Sequence, residues 1–92
     1  MAVTVRIPTQ LRNLSGNAAE VQLDGGTVNE VLLNLNVAHP GFGERLFDDT
    51  GALRRFVNVF LAEEDIRFLD SLETVVKDGD SISIVPAIAG GR

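Results

Sequence analysis

DGDSISIVP, at residues 78–86, is the stretch around which the chain is organised. The DGD triplet is typical of a tight turn, and the residues after it alternate between apolar and polar. This alternation predicts a strand with Ile82 and Ile84 on one face and serines on the other. Pro86 has no N–H to donate, so it is suited to the end of the strand.

The chain continues beyond this strand in residues 87–92, AIAGGR, which we call the tail. Its side chains are small or apolar up to Arg92, and residues 90–91 are both glycine. Because glycine has no Cβ, a protein channel can close tightly around its backbone. We therefore divide the chain into a folded domain, residues 1–86, and a flexible tail shaped to enter a narrow site.

Composition limits the classes of function. Ninety-two residues are enough for one small domain. The absence of cysteine excludes a disulfide, a thiolate metal site and a thiol nucleophile, and it fits a cytoplasmic protein. A net charge of −5 argues against a nucleic-acid partner. No apolar stretch is long enough to span a bilayer, and the first residues do not have the pattern of a signal peptide.

The first half of the chain predicts two strands and a helix. Alternating apolar residues indicate strands at residues 3–8 and 19–23, joined through a polar turn region at residues 11–17. Thr27 has the character of a helix N-cap, and Glu30 completes a capping box. An apolar stripe follows at helical spacing and HPG ends it; the stripe consists of Val28, Val31, Leu32 and Leu35.

The second half predicts short elements. Residues 42–47 can form a helical turn that buries Phe42, Leu46 and Phe47. Residues 53–61 and 66–68 are predicted strands, and residues 70–76 can hold one helical turn that presents Leu72, Val75 and Val76. Strands on both sides of one main helix are typical of an α+β fold. We expect a mixed sheet of four to five strands, in which the last strand pairs in parallel with the first.

These residues also carry a resemblance to a known family. The element order resembles that of the ubiquitin-like β-grasp fold, and residues 78–91 resemble the C-terminal signature of the MoaD/ThiS sulfur carriers. Residues 55–68, RFVNVFLAEEDIRF, are similar to the longer members, above all to the CysO type of cysteine biosynthesis. The resemblance covers nearly the whole chain.

The resemblance implies a carrier and not an enzyme. Its terminal glycine, Gly91 here, is adenylated by a separate enzyme, and sulfur then displaces AMP to give a thiocarboxylate. No bound cofactor is implied, since ATP and the sulfur source are used by the activating partner. An extended tail reaches about 17 Å, at roughly 3.4 Å per residue. The residues that would thread into partners are Ala87, Ile88, Ala89, Gly90 and Gly91.

The implied partners are three. They are an E1-like adenylating and sulfur-transferring enzyme, a sulfur-accepting synthase similar to cysteine synthase, and a metalloprotease that trims the tail or releases the product. Family carriers end in a free glycine, whereas Arg92 follows Gly91 here. Either a protease removes Arg92 before activation, or Arg92 is not part of the natural chain; an Arg92 that stayed in place would block function. Molybdopterin, thiamine thiazole and tRNA thiolation are the family's other sulfur outlets.

For partner docking we predict an apolar patch formed by Phe60 and Val85 on the outward face of the sheet. The alternative is that Phe56 and Phe60 are both buried beneath the short helices. Other functions also stay open. The chain could be a ubiquitin-like modifier joined to lysines through Gly91, or a binding domain whose tail has no role.

Enzyme and metal sites are disfavoured by spacing. His39, the single histidine, stands before Pro40 and is expected to end the helix, since it has no ligand partners at metal spacing. The acidic residues at 63–65 and 48–49 do not have the spacing of a calcium loop. Ser15 and Ser71 have no recognisable histidine base. We therefore expect no metal and no nucleophilic catalysis.

Overall fold

The structure is a computed structural model that describes residues 2–55 and 57–86. The described residues contain five strands and two α-helices, together with three 3-10 helices at Thr9–Ser15, Ile66–Phe68 and Ser71–Glu73. The strands are β1 Val3–Arg6, β2 Glu20–Leu23, β3 Val57–Leu61, β4 Glu64–Asp65 and β5 Ser81–Pro86. The α-helices are α1 Val28–Ala38 and α2 Phe42–Leu46.

The strands form one mixed sheet in the order β2-β1-β5-β3-β4. β5 lies at its centre, parallel to β1 on one side and antiparallel to β3 on the other. The hairpin of β1 and β2 and the pairing of β3 with β4 complete the sheet. The predicted α+β class, the mixed sheet and the parallel pairing of first and last strands are confirmed.

Helix α1 begins where the sequence predicts. The Thr27 Oγ1 accepts a hydrogen bond from the Glu30 N–H at 3.2 Å, which caps the first turn. The Glu30 carboxylate accepts from the Gly26 N–H at 2.7 Å, one residue earlier than in a regular capping box. Gly25 makes the approach possible, because a Cβ there would lie 2.6 Å from the Val31 side chain.

The core lies between α1 and one face of the sheet. The predicted stripe of α1 is fully buried, and the helix ends at Ala38 with His39 as its C-cap. The apolar residues of β1, β3 and β5 meet the stripe from below, since alternate strand residues share a face. The buried sheet residues are Val3, Val5, Val57, Val59, Ile82 and Ile84. Phe42 and Leu46 of α2 close one side of this core.

The strand predicted at residues 53–61 is wrong in its first part. Strand β3 begins only at Val57. Leu53 instead forms an isolated bridge with Phe47, and the Arg54 N–H donates to the Leu46 carbonyl at 2.9 Å. These backbone groups are satisfied by the segment after α2, so they do not extend the sheet.

Three further local predictions need correction. Residues 66–68 form a 3-10 helix, and the short strand paired with β3 is Glu64–Asp65. Val75, predicted to be presented to the core, is 65% exposed, whereas Val76 is buried. The polar turn predicted at residues 11–17 is largely the 3-10 helix Thr9–Ser15, with Leu11 buried. Segments of three to seven residues are too short for a period to be read from them.

The tail and Phe56, on which several predictions fall, lie outside the described residues. Within the described ranges, no helix is long and apolar enough to cross a membrane.

Candidate functional site

The chain leaves the folded domain at the carboxyl end of the central strand. Pro86, the last described residue, pairs with Val57 at the start of β3. On the other side of β5, Ser83 is paired with Arg6 of β1. β1 therefore holds β5 as far as Ser83, and β3 holds it as far as Pro86, so the last described residue is fixed by its pairing with β3.

Phe60 and Val85 lie together on the open face of the sheet, as predicted. In the antiparallel pair of β3 and β5, Phe60 is opposite Ser83 and Asn58 is opposite Val85. Phe60 and Val85 are therefore diagonal neighbours on one face, within reach of a large side chain. Val85 is 45% exposed and Phe60 is half-buried. The arrangement fits a small apolar patch beside the point where the tail begins.

An arginine fixes the chain just before β3. Arg67 Nη2 donates to the Val57 carbonyl at 2.9 Å and lies 3.3 and 3.4 Å from the carbonyls of Arg54 and Arg55. Its Nη1 donates to the Asn58 Oδ1 at 2.6 Å. One guanidinium presents several donors in a rigid plane, so it can hold several carbonyls at once.

This Arg67 clamp was not predicted from the sequence. It joins the 3-10 helix Ile66–Phe68 to the start of β3, and Val57 is the residue that pairs with Pro86. The Asp65 Oδ1 accepts from the Arg67 N–H at 2.9 Å and so anchors the same turn. The clamp therefore stabilises Val57, the β3 residue that pairs with Pro86. Such an arginine cannot be predicted from residue spacing, because every residue has a backbone carbonyl and the acceptors therefore leave no pattern in the sequence.

The acidic pair at residues 48–49 forms a turn, as the sequence predicts. The Asp48 Oδ1 accepts from the Thr50 hydroxyl at 2.6 Å, from the Thr50 N–H at 2.9 Å and from the Ala52 N–H at 3.2 Å. The hydrogen bonds from Thr50 are the main reason why the pKa of Asp48 lies below its ordinary value, and the charge of Arg54 adds to the shift. The carboxylate is thus used inside its own turn.

Other candidate centres are disfavoured. Among the described residues, no group of three or more histidine, cysteine or acidic side chains could hold a metal ion. His39 caps α1 and stands edge-on to the Phe42 ring, with the ring centroids 6.4 Å apart. Its predicted role as a helix-end residue is confirmed. Ser15 is buried, and its hydroxyl lies 2.8 Å from the Ala18 carbonyl, which is a structural contact.

A shallow cleft of about 420 Å³ lies between α1 and β2, on the side of the molecule away from Pro86. Its lining includes Leu23, Asn34 and Val37. It is broad and open and has no convergent set of charged groups, so it does not resemble a catalytic pocket. The geometry therefore points to the end of β5 as the functional region.

The comparisons with known proteins bear on this region. The sequence matches the ThiS family over residues 5–91, a span that includes β5 and most of the tail. This chain belongs to the ThiS family. The match extends from β1 through Gly91, so the family signature is not confined to the terminal glycines.

Individual relatives agree with the family match. The sulfur carrier protein CysO of Mycobacterium tuberculosis is 45% identical over 93 residues, covering 99% of this chain and all of the relative. A chain in the crystal structure of the Amycolatopsis orientalis BexX/CysO complex matches with a TM-score of 0.91 and 46% identity, covering 98% of this chain and 100% of that chain. The small archaeal modifier protein 3 of Haloferax volcanii is 37% identical over 68 residues, covering 74% of this chain and 73% of the relative.

These findings confirm the predicted family resemblance, its CysO-type character and the β-grasp fold. Of the predicted site residues, the structure brings Phe60 and Val85 together on the open face. The threading residues 87–91, with Gly91 as the acyl carrier, lie outside the described residues and stay a prediction.

Proposed function

We propose that this protein is a sulfur carrier in which Gly91, once Arg92 has been removed, bears a thiocarboxylate. The observation that carries the proposal is the 45% identity to CysO over almost the whole of both chains. The place of Pro86 adds support, because this last described residue ends the central strand of a sheet that has one open face. The folded domain is then the part that partners recognise, and the tail is the part on which they act.

The chemistry needs an activated carboxyl group. A carboxylate is a poor electrophile, so one Gly91 oxygen attacks the α-phosphorus of ATP and pyrophosphate leaves. The sulfur of sulfide then forms a bond to the acyl carbon, and the acyl C–O bond breaks as AMP departs. If the donor is a persulfide of the partner, the product is an acyl disulfide, and a second thiol of the partner attacks its inner sulfur, breaks the S–S bond and leaves the thiocarboxylate on Gly91. The chain has no cysteine to serve as a nucleophile, and the adenylating partner performs both steps. This protein acts as their co-substrate.

Cysteine biosynthesis is the outlet we favour, because CysO is the name of both the full-length relative and the matching crystal chain. In that route a synthase forms a bond from the thiocarboxylate sulfur to Cβ of an activated serine, whose activating group leaves. A metalloprotease then hydrolyses the bond between the Gly91 acyl carbon and the new cysteine. Delivery of sulfur to molybdopterin, thiazole or tRNA would use the same loaded carrier. The work would take place in the cytoplasm with no cofactor bound to this chain.

Reconstitution tests the proposal. The protein ending at Gly91 is incubated with ATP, sulfide and the adenylating enzyme from the same organism, and its intact mass is measured. Replacement of oxygen by sulfur adds about 16 Da. We expect this gain with the protein ending at Gly91 and none with the protein that retains Arg92. No gain in either form would contradict the proposal.

A modifier is the second candidate, since the Haloferax volcanii relative is named as one. Both functions begin with the same acyl adenylate and differ in the acceptor. A modifier would form isopeptide bonds between Gly91 and lysines of other proteins. Tryptic peptides in which a lysine carries residues 78–91 of this chain, the segment after Lys77, would distinguish a modifier from a carrier.

A further inference from the structure

A group of arginines and a group of carboxylates lie at opposite ends of the sheet. We call the end where β5 finishes at Pro86 the arginine end, and the end where β5 begins at Ser81 the acidic end. β1 is parallel to β5, so Ile7 and the residues after it lie at the arginine end. β3 is antiparallel to β5, so the residues before Val57 lie there too.

Four arginines gather at the arginine end: Arg12, Arg54, Arg55 and Arg67. Arg12 Nε donates to the Ile7 carbonyl at 3.0 Å, just beyond β1. Arg54 and Arg55 precede β3, and Arg67 is bound to their carbonyls. All four positions lie beyond the ends of β1 and β3 that are on the same side of the sheet as Pro86.

The opposite end is acidic. The turn before β5 holds Asp78 and Asp80, and the Asp78 carboxylate accepts from the Ala2 N–H at 2.8 Å. The turn after β3 is tied to the start of β5 by the Ala62 N–H, which donates to the Ser81 carbonyl at 2.9 Å. Six carboxylates lie at this end: Asp24, Glu30, Glu63, Glu64, Asp78 and Asp80. Among the described residues there, the only cation is Lys77.

The charge at the arginine end is only partly neutralised. The Arg67 guanidinium donates to backbone carbonyls and one amide, which are neutral acceptors. The Arg55 side chain is exposed, and no hydrogen bond or ion pair of it is found among the described residues. Asp48 feels the charge of Arg54, but its oxygen is already engaged by Thr50 and Ala52. Arg54 lines a pocket together with Glu44, Asp48 and Asp49, so its charge is compensated. Arg12, Arg55 and Arg67 form no ion pair among the described residues, so a protein of net charge −5 keeps three arginines without a carboxylate partner at this end.

We propose that the arginine end, together with the patch of Phe60 and Val85, docks on an activating enzyme that carries carboxylates around the entrance for the tail. The inference rests on the proposed function and specifies the charge of the partner surface that binds this carrier. An acidic rim would attract the arginine end and repel the acidic end. The carrier would then approach with its tail foremost, which raises the rate of productive encounter.

Two charge reversals of equal size at opposite ends test the inference. Arg55→Glu and Lys77→Glu each change the net charge by the same amount, and both side chains are exposed. Both are made in the protein ending at Gly91, and adenylation is followed by pyrophosphate exchange at low and high salt. We expect Arg55→Glu to lower kcat/KM about fivefold to tenfold at low salt, mainly through KM. Lys77→Glu should change it less than about twofold.

Salt and the conservative variant separate an electrostatic role from a structural one. The Arg55→Glu defect should shrink at about 0.5 M salt, where the Debye length is only a few ångströms. Arg55→Lys should retain near wild-type kcat/KM, because it keeps the charge. Equal defects for the two reversals, or a defect that salt does not reduce, would overturn the inference while leaving the carrier function intact. No exchange with the otherwise unsubstituted protein ending at Gly91 would instead contradict the proposed function, and the inference with it.

Discussion

The two faces of the sheet are built from the same strands but differ in what their side chains touch. On the covered face, Ile82 and Ile84 of β5 are buried against α1. On the open face, Ser83 is half-buried and Val85 is 45% exposed. The difference shows that one face carries the stability of this small domain, whereas the other face is free to carry recognition. Substitutions on the two faces should therefore have separable effects.

The largest effect is expected on the covered face. Ile82→Ala removes a fully buried side chain and should lower the free energy of unfolding by about 2–5 kcal/mol. Ser83→Ala, its neighbour on the open face, should change it by less than about 0.5 kcal/mol. Urea unfolding measures both. Similar losses of unfolding free energy for the two variants would show that the covered face does not contribute more to stability than the open face.

A substitution in the tail should leave stability unchanged and abolish loading. Gly90→Val adds a branched side chain where a partner channel must close around the backbone. We expect the rate of sulfur loading to fall by at least about 100-fold, with the unfolding midpoint unchanged. Ala38→Val, the same kind of enlargement at the exposed end of α1, serves as the control. Normal loading of Gly90→Val would contradict the threading role of the tail.

The open face itself is tested by Phe60→Ala. If Phe60 contributes to docking, its removal should weaken binding to the activating enzyme about tenfold. Gln22→Ala is a matched control, because Gln22 lies on β2 and contacts the exposed Thr4 hydroxyl at 2.7 Å, away from the end of β5. Titration calorimetry with the folded variants measures the affinities. Unchanged affinity for Phe60→Ala would remove Phe60 from the docking surface.

The smallest effect is expected at Asp48, which lies off the sheet. Its pKa is lower in the folded protein than its ordinary value, so its ionised form stabilises the fold. That contribution is present above the ordinary aspartate pKa and is lost as the pH falls through the lower, folded-state pKa. Asp48→Ala should therefore be less stable than wild type at neutral pH, and the difference should shrink in acid. A difference that grows on acidification would contradict this.

The longer elements were predicted correctly from the sequence, and several of the shorter ones were not. Helix α1 and strand β5 were predictable, because four apolar residues recur at helical spacing in one and alternate residues are apolar in the other. Residues 53–55 misled the prediction, because Leu53 is in phase with the apolar residues of β3. In the structure, Leu53 is paired with Phe47 and the Arg54 N–H donates to Leu46 at the end of α2. Ile66 and Phe68 would share a face in a strand, yet one is buried and the other is 84% exposed.

The candidate site also has a part that the sequence predicts and a part that it does not. The place of Phe60 and Val85 on one face followed from strand periodicity once the order of the strands was given, and the family signature indicated the tail. The Arg67 clamp and the arginine end could not be found in this way. They depend on which ends of distant strands meet, and hydrogen bonds from a guanidinium to carbonyls leave no pattern in the sequence.

The central claim is that the end of this chain carries sulfur as a glycyl thiocarboxylate. It is tested most directly by the intact mass of the protein purified from its native host under non-reducing conditions. We expect a species that ends at Gly91 and is heavier than the free acid by about 16 Da, the difference between sulfur and oxygen. A population that consists only of unmodified protein retaining Arg92, during growth that requires sulfur assimilation, would contradict the claim.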